Sequence, residues 1–71
     1  VRITVIHKNQ RNMISTITDT ISKDGVNIAS FEDKNRGEIA YSIIDCDTDV
    51  SASVVTDIEA IDGVIKVRVI K

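Results

Sequence analysis

The side chains best suited to chemistry lie in one stretch, residues 7–14, where an apolar segment gives way to an amphipathic one. His7, Asn9 and Asn12 can each donate and accept hydrogen bonds, and two cations stand between them. If a helix begins here, its first backbone N–H groups are unpaired as well, and together these groups suit a ligand that carries a carboxylate. The same residues also suit a well-capped surface loop that binds nothing, so the stretch alone leaves both interpretations open.

Catalytic chemistry finds little support in the rest of the chain. His7 is the only histidine, and no serine or threonine has an evident base as its partner. A phosphate site of the acylphosphatase type could use Arg11 and Asn27, but the glycine-rich loop that such a site needs before the helix is missing. Asp45 and Asp47 precede a predicted helix, where acidic residues commonly serve as caps. We therefore expect a domain that is not an enzyme by itself.

Composition narrows the classes of partner. The single cysteine, Cys46, can form neither an internal disulfide nor a thiolate metal cluster, and we expect it to be a small buried hydrophobe. The nine basic and eleven acidic residues are scattered and sum to −2, and Phe31 and Tyr41 are the only aromatic residues. Neither nucleic acid nor an anionic membrane surface is therefore an expected partner. Because no apolar stretch approaches the roughly 20 residues of a membrane span, we expect a cytoplasmic protein.

The length of the chain, 71 residues, predicts one small domain. A domain of this size buries only about 60% of the surface of its unfolded chain, so a second source of stability is expected. Without disulfides, oligomerisation is the obvious source. Since residue 1 is Val rather than Met, we expect residues 1–71 to be a single regulatory domain excised from a larger enzyme.

The first half of the chain predicts a strand, a helix and a strand. Alternation of apolar and polar residues predicts a strand over residues 1–7, with His7 on the inward face. A helix capped by Asn12 follows and ends at the Asp-Gly pair at 24–25. The next strand is predicted from residue 26 to residue 31. The predicted buried stripe of the helix consists of Met13, Ile14, Ile17 and Ile21.

The second half repeats this plan. The Asn-Arg-Gly sequence that ends the charged segment 32–37 predicts a hairpin turn, which makes the strand before the segment and the strand over residues 39–44 antiparallel neighbours. A polar loop then leads into a second helix. Its apolar positions are Val50, Val54, Ile58 and Ile61. The last strand, residues 64–70, is predicted to place Ile65, Val67 and Val69 on one face and Lys66 and Arg68 on the other.

The order of these elements, βαββαβ, predicts an α+β fold of the ferredoxin-like class. An Asp-Gly-Val sequence recurs in matching places of the two halves. Right-handed crossovers put both helices on one face of a four-stranded antiparallel sheet. The other face, with Arg2, Thr4, Lys66 and Arg68, and the edge strands are left for solvent or a partner. This fold hosts many functions, so it does not identify one.

Four segments carry a resemblance to a known family. They are His7-Lys8-Asn9, Gly25-Val26-Asn27-Ile28-Ala29, Arg36-Gly37-Glu38-Ile39-Ala40-Tyr41 and Asp62-Gly63-Val64. With them the chain resembles an ACT domain, an amino-acid-binding regulatory module, along nearly its full length. It is most similar to the C-terminal regulatory domain of phosphoglycerate dehydrogenase. The resemblance implies feedback control of serine biosynthesis by L-serine, with NAD bound elsewhere in the parent enzyme and no cofactor in this domain.

The resemblance also implies a site shared by two chains. In family members that bind serine, two domains pair side by side into one eight-stranded sheet, and the effector lies at their interface. Carried over to this sequence, the contacts are His7 and Asn9 of one chain and Asn27 of the other. Ile28 could lend a backbone group, and Asn12 completes the predicted ligand-binding set. L-serine or another small amino acid offers an ammonium, a carboxylate and a hydroxyl, which amide side chains can meet as donors and acceptors.

Two positions depart from the family pattern. Arg11 stands where the family loop usually has Pro, so the loop lacks a fixed φ at the start of the helix. Ser15, on the first helical turn, stands where close relatives commonly have Gly. Both changes favour a second hypothesis, a structural module that pairs chains in a homodimer without sensing a ligand. A third hypothesis is an ACT domain of another amino-acid enzyme, such as the iron–sulfur serine dehydratase.

Overall fold

The strands and helices follow each other in the predicted order. In the computed structural model, which describes residues 1–70, they are β1 Arg2–Lys8, α1 Met13–Lys23, β2 Ile28–Arg36, β3 Ile39–Cys46, α2 Ala52–Glu59 and β4 Val64–Ile70. The strands form one antiparallel sheet in the order β2-β3-β1-β4, so that β2 and β4 are its edges. Both helices pack on one face of this sheet. The predicted ferredoxin-like βαββαβ fold is thereby confirmed.

The hydrophobic core lies between the sheet and the two helices. Every second residue of β1 and β3 points into it, and each helix contributes residues spaced by four. Cys46 is buried at the end of β3, as predicted, and burial raises the pKa of its thiol. The apolar side chains with no solvent exposure are Ile3, Val5, Ile17, Ile21, Ile44, Val54 and Ile58.

The buried stripe of α1 is narrower than predicted. Ile14 is expected to lie in it, but its side chain is 42% exposed. The helix begins at Met13, which takes the inward position of the first turn, and Ile17 and Ile21 follow at intervals of four. Consecutive helical residues point about 100° apart, so the inward position of Met13 turns Ile14 away from the sheet.

Helix α2 is shorter than its apolar spacing predicts. Val50 precedes the helix and Ile61 follows it, although both side chains pack in or against the core. The backbone N–H of Val50 donates to Asp49 Oδ1 (3.0 Å). That of Ile61 donates to the carbonyl of Ile58 (3.0 Å), in a turn tighter than the helix. Among residues 1–70, neither helix combines the length and the hydropathy that crossing a membrane requires.

The hairpin between β2 and β3 is tighter than predicted. The charged segment 32–36 belongs to β2, and the turn consists of Gly37 and Glu38 alone. Gly37 has a φ of +65°, which suits the first position of a two-residue hairpin turn. Charged residues are tolerated in β2 because it is an edge strand. The strand begins at Ile28, two residues after its predicted start, and β3 continues to Cys46, two residues beyond its predicted end.

A β-bulge in β4 reverses the predicted face of one residue. Across the β1–β4 pair, His7 lies opposite Val64 and Ile6 lies opposite Lys66, so Ile65 is an extra residue in the register. Its side chain is 55% exposed instead of pointing inward. Beyond the bulge the strand keeps its predicted alternation of faces.

We call the sheet face away from the helices the open face. It carries alternate residues of all four strands, and the predicted placement of four polar residues on it is confirmed. Its side chains are those of Arg2, Thr4, Ile6, Lys8, Ser30, Glu32, Lys34, Arg36, Ile39, Tyr41, Ile43, Asp45, Lys66, Arg68 and Ile70.

Candidate functional site

The polar stretch after β1 forms a loop that is held against two other turns. The backbone N–H of Asn9 donates to the carbonyl of Glu38 (2.7 Å), and Asn9 Nδ2 donates to the carbonyl of Gly37 (3.1 Å). On the other side, the N–H of Lys8 donates to the carbonyl of Gly63 (2.8 Å), just before β4. The loop is therefore fixed in place at one end of the sheet without the proline of the family pattern.

A pocket of about 400 Å³ opens between this loop and the β2–β3 hairpin. The residues around it carry an ammonium, two amides and a carboxylate beside one isoleucine. A small zwitterion finds a group of opposite charge for each of its own charges, together with amide donors and acceptors. The residues that line the pocket are Lys8, Asn9, Gln10, Gly37, Glu38 and Ile39.

His7 is not among the residues that line the pocket. Its side chain points inward, as predicted, and is 1% exposed. Nδ1 donates to the carbonyl of Lys8 (2.9 Å), and Nε2 lies 2.9 Å from Ser42 Oγ. Because both ring nitrogens are in hydrogen bonds within the chain, direct contact of His7 with a ligand requires one of these bonds to open.

A chain of hydrogen bonds joins His7 to an acidic residue on β2. Ser42 Oγ donates to Asp33 Oδ1 (2.7 Å), which lies 3.4 Å from His7 Nε2. The carbonyl of Lys8 can only accept a hydrogen bond, so Nδ1 of His7 is the donor in that bond. This buried polar chain connects β1, β3 and β2 at the end of the sheet that carries the pocket.

Asn12 stands at the predicted N-cap of α1 but does not cap the helix with its side chain. Its φ is +66°, in the left-handed region that Asn tolerates better than most residues, and its side chain makes no capping hydrogen bond. Its carbonyl accepts from Thr16 Oγ1 (2.8 Å). Asn12 is exposed and does not line the pocket, and the same holds for Arg11 and Ser15, the two departures from the family pattern.

Asn27 and Ile28 lie at the opposite end of the sheet from the pocket. Asn27 Nδ2 donates to Asp47 Oδ2 (2.5 Å), and the carbonyl of Asn27 accepts from the N–H of Asp47 (3.0 Å). Strand β2 separates this end from the hairpin, and its eight steps of ~3.4 Å from Ile28 to Arg36 span about 27 Å. A single chain therefore does not bring Asn27 to Asn9.

Five residues of the pocket, Lys8, Gln10, Gly37, Glu38 and Ile39, are absent from the predicted ligand-binding set. The β1–β3 register sets Lys8 opposite Ile39 and thereby brings the hairpin to the loop. In a ferredoxin-like sheet the first strand pairs with the strand after the hairpin, so this topology is the signal that could have found them.

The polar groups of the pocket suit recognition rather than metal chemistry. They include a single carboxylate, that of Glu38, whereas hard cations are held by several oxygen ligands. Among residues 1–70, no group of three or more His, Cys, Asp or Glu side chains is placed to hold a metal ion. What the site can do is bind a small polar molecule through charge pairing and amide hydrogen bonds.

Comparison with known proteins identifies the fold. No protein-family model matches the chain, and no curated protein matches it. It is similar to the crystal structure of the ACT domain from GTP pyrophosphokinase of Chlorobium tepidum, with a TM-score of 0.79 and 18% identity over 94% of this chain and 91% of that one. The solution NMR structure of that ACT domain gives a TM-score of 0.76 and 21% identity, over 94% of this chain and 80% of that one. The chain has the fold of an ACT domain.

Proposed function

We propose that this chain is an amino-acid-binding ACT domain that regulates a linked enzyme in response to L-serine. One observation carries the proposal: the pocket beside Asn9 and the side chain of Asn27 lie at opposite ends of the same edge strand, β2. Antiparallel pairing of β2 with β2 of a second chain, about a two-fold axis, would bring these ends together. Each pair of chains would then contain two pockets, each built from both chains.

The chemistry of the pocket supports serine as the ligand. Glu38 can pair with the ammonium group and Lys8 with the carboxylate, while the amide of Asn9 offers hydrogen bonds to either. Asn27 of the second chain would supply a further amide. His7 would act on the ligand through Lys8, whose carbonyl it holds.

Two further residues of the proposed set, Asn12 and Ile28, lie outside the pocket of a single chain. Asn12 is exposed at the start of α1, where it could approach a ligand from the helix side. Ile28 opens β2 directly after Asn27, so that pairing of two β2 strands would carry its backbone toward the pocket of the other chain. Both belong to the proposed ligand-binding set on these grounds.

The regulated enzyme is proposed to be an NAD-dependent, cytoplasmic phosphoglycerate dehydrogenase, whose pathway product serine would control it. The sequence resemblance supports this parent enzyme, whereas the ACT domain structures to which the chain is similar come from a different enzyme. For regulation, L-serine must bind one arrangement of the paired domains more tightly than another. The domain itself would contribute binding and not catalysis.

A second candidate function is pairing without sensing. It is favoured by the hydrogen bonds that already engage the proposed contacts, which join Asn9 to Gly37, Asn27 to Asp47 and His7 to its neighbours. A module of this kind would pair through β2 in the same way and would be indifferent to amino acids.

Calorimetric titration with L-serine tests the proposal. We expect saturable heat and a raised melting temperature at millimolar L-serine. Asn9→Ala and Asn27→Ala should each weaken binding by about 1–3 kcal/mol, because a polar group of the ligand loses its partner. The control is Thr56→Ala, an exposed position on α2, which should bind like the unmodified chain. If the chain sediments as a dimer and gives no heat with serine, pairing without sensing is the better description.

Mixed pairs of two variants distinguish a shared site from a site within one chain. When an Asn9→Ala chain pairs with an Asn27→Ala chain, one pocket loses both amides and the other keeps both. We therefore expect a mixture of the two weak binders to recover full-affinity binding at one site per mixed pair. A mixture that binds no better than its components would show that the site does not cross the interface.

A further inference from the structure

The open face carries most of the positive charge of the chain. Two carboxylates, Glu32 and Asp45, are also on this face, which gives it a formal charge of +4 in a chain whose net charge is −2. The rest of the sequence therefore sums to −6; helix α2 carries −2, and helix α1, with Asp19 and Lys23, is formally neutral. Of the nine lysine and arginine residues, the six on the open face are Arg2, Lys8, Lys34, Arg36, Lys66 and Arg68.

Both carboxylates of the open face are already paired. Arg2 donates to Asp45 through Nε (2.8 Å to Oδ1) and through Nη2 (3.3 Å to Oδ2). The hydrogen bond from Arg2 holds the pKa of Asp45 below its usual range. Lys34 Nζ lies 3.7 Å from Glu32 Oε1. Within residues 1–70 no ion pair engages the other four cations of this face, which are Lys8, Arg36, Lys66 and Arg68.

The centre of the open face is apolar, although the solvent face of an antiparallel sheet is normally polar. Ile6 and Tyr41 are cross-strand neighbours, and Ile39 and Ile43 flank Tyr41 on β3. Ile39 is 43% exposed and Tyr41 is 38% exposed. A groove of about 110 Å³ indents this centre, and it is lined by Thr4, Ile6, Tyr41, Lys66 and Arg68. Unpaired cations thus surround an exposed apolar strip, as at the rim and centre of many protein interfaces.

The charge pattern and the dimensions of the open face select among its possible occupants. A second open face would bring like charges together and is disfavoured. Single-stranded nucleic acid would stack its bases on several aromatic side chains, and Tyr41 is the one aromatic residue of this face. Four strands spaced by ~4.8 Å span about 14 Å, which is enough for one α-helix of roughly 10 Å diameter.

We propose that the open face binds an acidic, amphipathic α-helix of a partner protein. The apolar stripe of that helix would cover Ile6, Ile39 and Tyr41. The Asp and Glu side chains that flank the stripe would pair with Lys66 and Arg68 on one side. On the opposite side they would pair with the unpaired cations of the other strands. The open face is distinct from the edge of β2, so pairing of two chains would leave it accessible. Lys8 and Ile39 also line the pocket proposed for serine, but Tyr41, Lys66 and Arg68, which the test changes, lie outside it, so failure of one proposal is distinguishable from failure of the other.

Fluorescence anisotropy with a labelled synthetic peptide tests this proposal. The probe is a helical peptide with leucine at i, i+3, i+4 and i+7 and glutamate on the rest of its surface. A shuffled peptide of the same composition, which lacks an apolar face, is the control probe. We expect saturable binding of the amphipathic peptide that weakens about tenfold when Lys66→Gln and Arg68→Gln are combined and that weakens with added salt.

A matched variant controls for the loss of charge. Combined Arg11→Gln and Lys23→Gln changes remove the same charge at exposed positions outside the open face, and should leave peptide binding unchanged. Tyr41→Thr keeps a strand-forming residue while it shortens the apolar strip, and should weaken binding without a change in its salt dependence. Circular dichroism of every variant establishes that it is folded.

Four results would overturn the proposal. The first is equal binding by the unmodified chain and the Lys66 and Arg68 double variant, and the second is equal binding of the shuffled peptide. The third is no saturable binding of the amphipathic peptide. The fourth is that a single-stranded oligonucleotide, a phosphatidylserine vesicle or a second copy of the chain binds more tightly than the amphipathic peptide and that the double variant loses this binding. That result would assign the open face to that occupant.

Discussion

His7 is a buried histidine that the chain itself keeps fully hydrogen-bonded. Alternate residues of a strand point to the same face, so the side chain of His7 points inward with those of Ile3 and Val5. This alternation does not predict the hydrogen-bond partners of His7. Ser42 is 35 residues away in sequence, and Asp33 meets Ser42 through the β2–β3 register. Such a network stabilises the fold only while every member is satisfied.

Replacing the central hydroxyl of this network should therefore destabilise the domain. We expect Ser42→Ala to lower the free energy of unfolding by about 1–3 kcal/mol, because Nε2 of His7 and the carboxylate of Asp33 each lose a buried hydrogen bond. Urea denaturation measures the change. Ser53→Ala, at an exposed position of α2, is the control and should stay within ~0.5 kcal/mol. Equal stabilities of the two variants would contradict a structural role for the network.

The sequence predicts the strands and helices because a local periodicity of apolar residues defines each of them. All four strands and both helices are expected from alternation and helical spacing, and all six are present. The exposed side chain of Ile65 could not be expected, because a bulge is a property of the pairing between β1 and β4 and not of β4 alone. The two-residue turn at Gly37 depends likewise on the register of β2 against β3. Long-range register is therefore what periodicity leaves undetermined.

Gly63 is a point of close approach between two elements. A Cβ at this position would overlap Met13 Cε and lie 2.7 Å from Gln10 Oε1, and φ is +99°. Gly25 has a φ of +80° with no atom within 4 Å of such a Cβ, so it carries the same backbone constraint without the contact. Gly25→Ala should reduce stability by about 1–2 kcal/mol through backbone strain, and Gly63→Ala should reduce it further.

Urea denaturation and methyl NMR together test this difference. Met13 is the only methionine, so its methyl resonance reports the environment at the start of α1. We expect that resonance to shift in Gly63→Ala and to stay in place in Gly25→Ala. Equal losses of stability with an unshifted methyl signal would mean that the loop beside the pocket relaxes freely around the new side chain.

At the scale of the whole molecule, the proposed site requires two chains, and one chain contains only part of it. Asn9, a predicted ligand contact, lines the pocket, whereas Asn27 lies beyond the other end of β2, whose eight steps of ~3.4 Å from Ile28 to Arg36 span about 27 Å. The fold of a single chain does not determine which of its surfaces a partner covers. The prediction of a shared site depends on pairing and stays a prediction until the paired form is measured.

Pairing should be visible in the stability of a domain this small. If folded chains associate through β2, the dimer is favoured by mass action, and each tenfold rise in protein concentration adds about 1.4 kcal/mol per dimer to its stability. We therefore expect the melting temperature to rise with protein concentration in parallel with the dimer fraction in sedimentation equilibrium. A melting temperature that does not depend on concentration, in a sample that sediments as a monomer, would contradict association of the isolated chain.

The open face carries a formal charge of +4 and the rest of the sequence carries −6, so charges of opposite sign are separated within the molecule. In the field of a charged surface, such a molecule experiences a torque and turns before it makes contact. It would present the open face to a polyanion and its acidic surface, which includes helix α2, to a polycation. Although the net charge is −2, the molecule has two regions of opposite sign. These regions determine its orientation as it approaches a charged surface more than the net charge does.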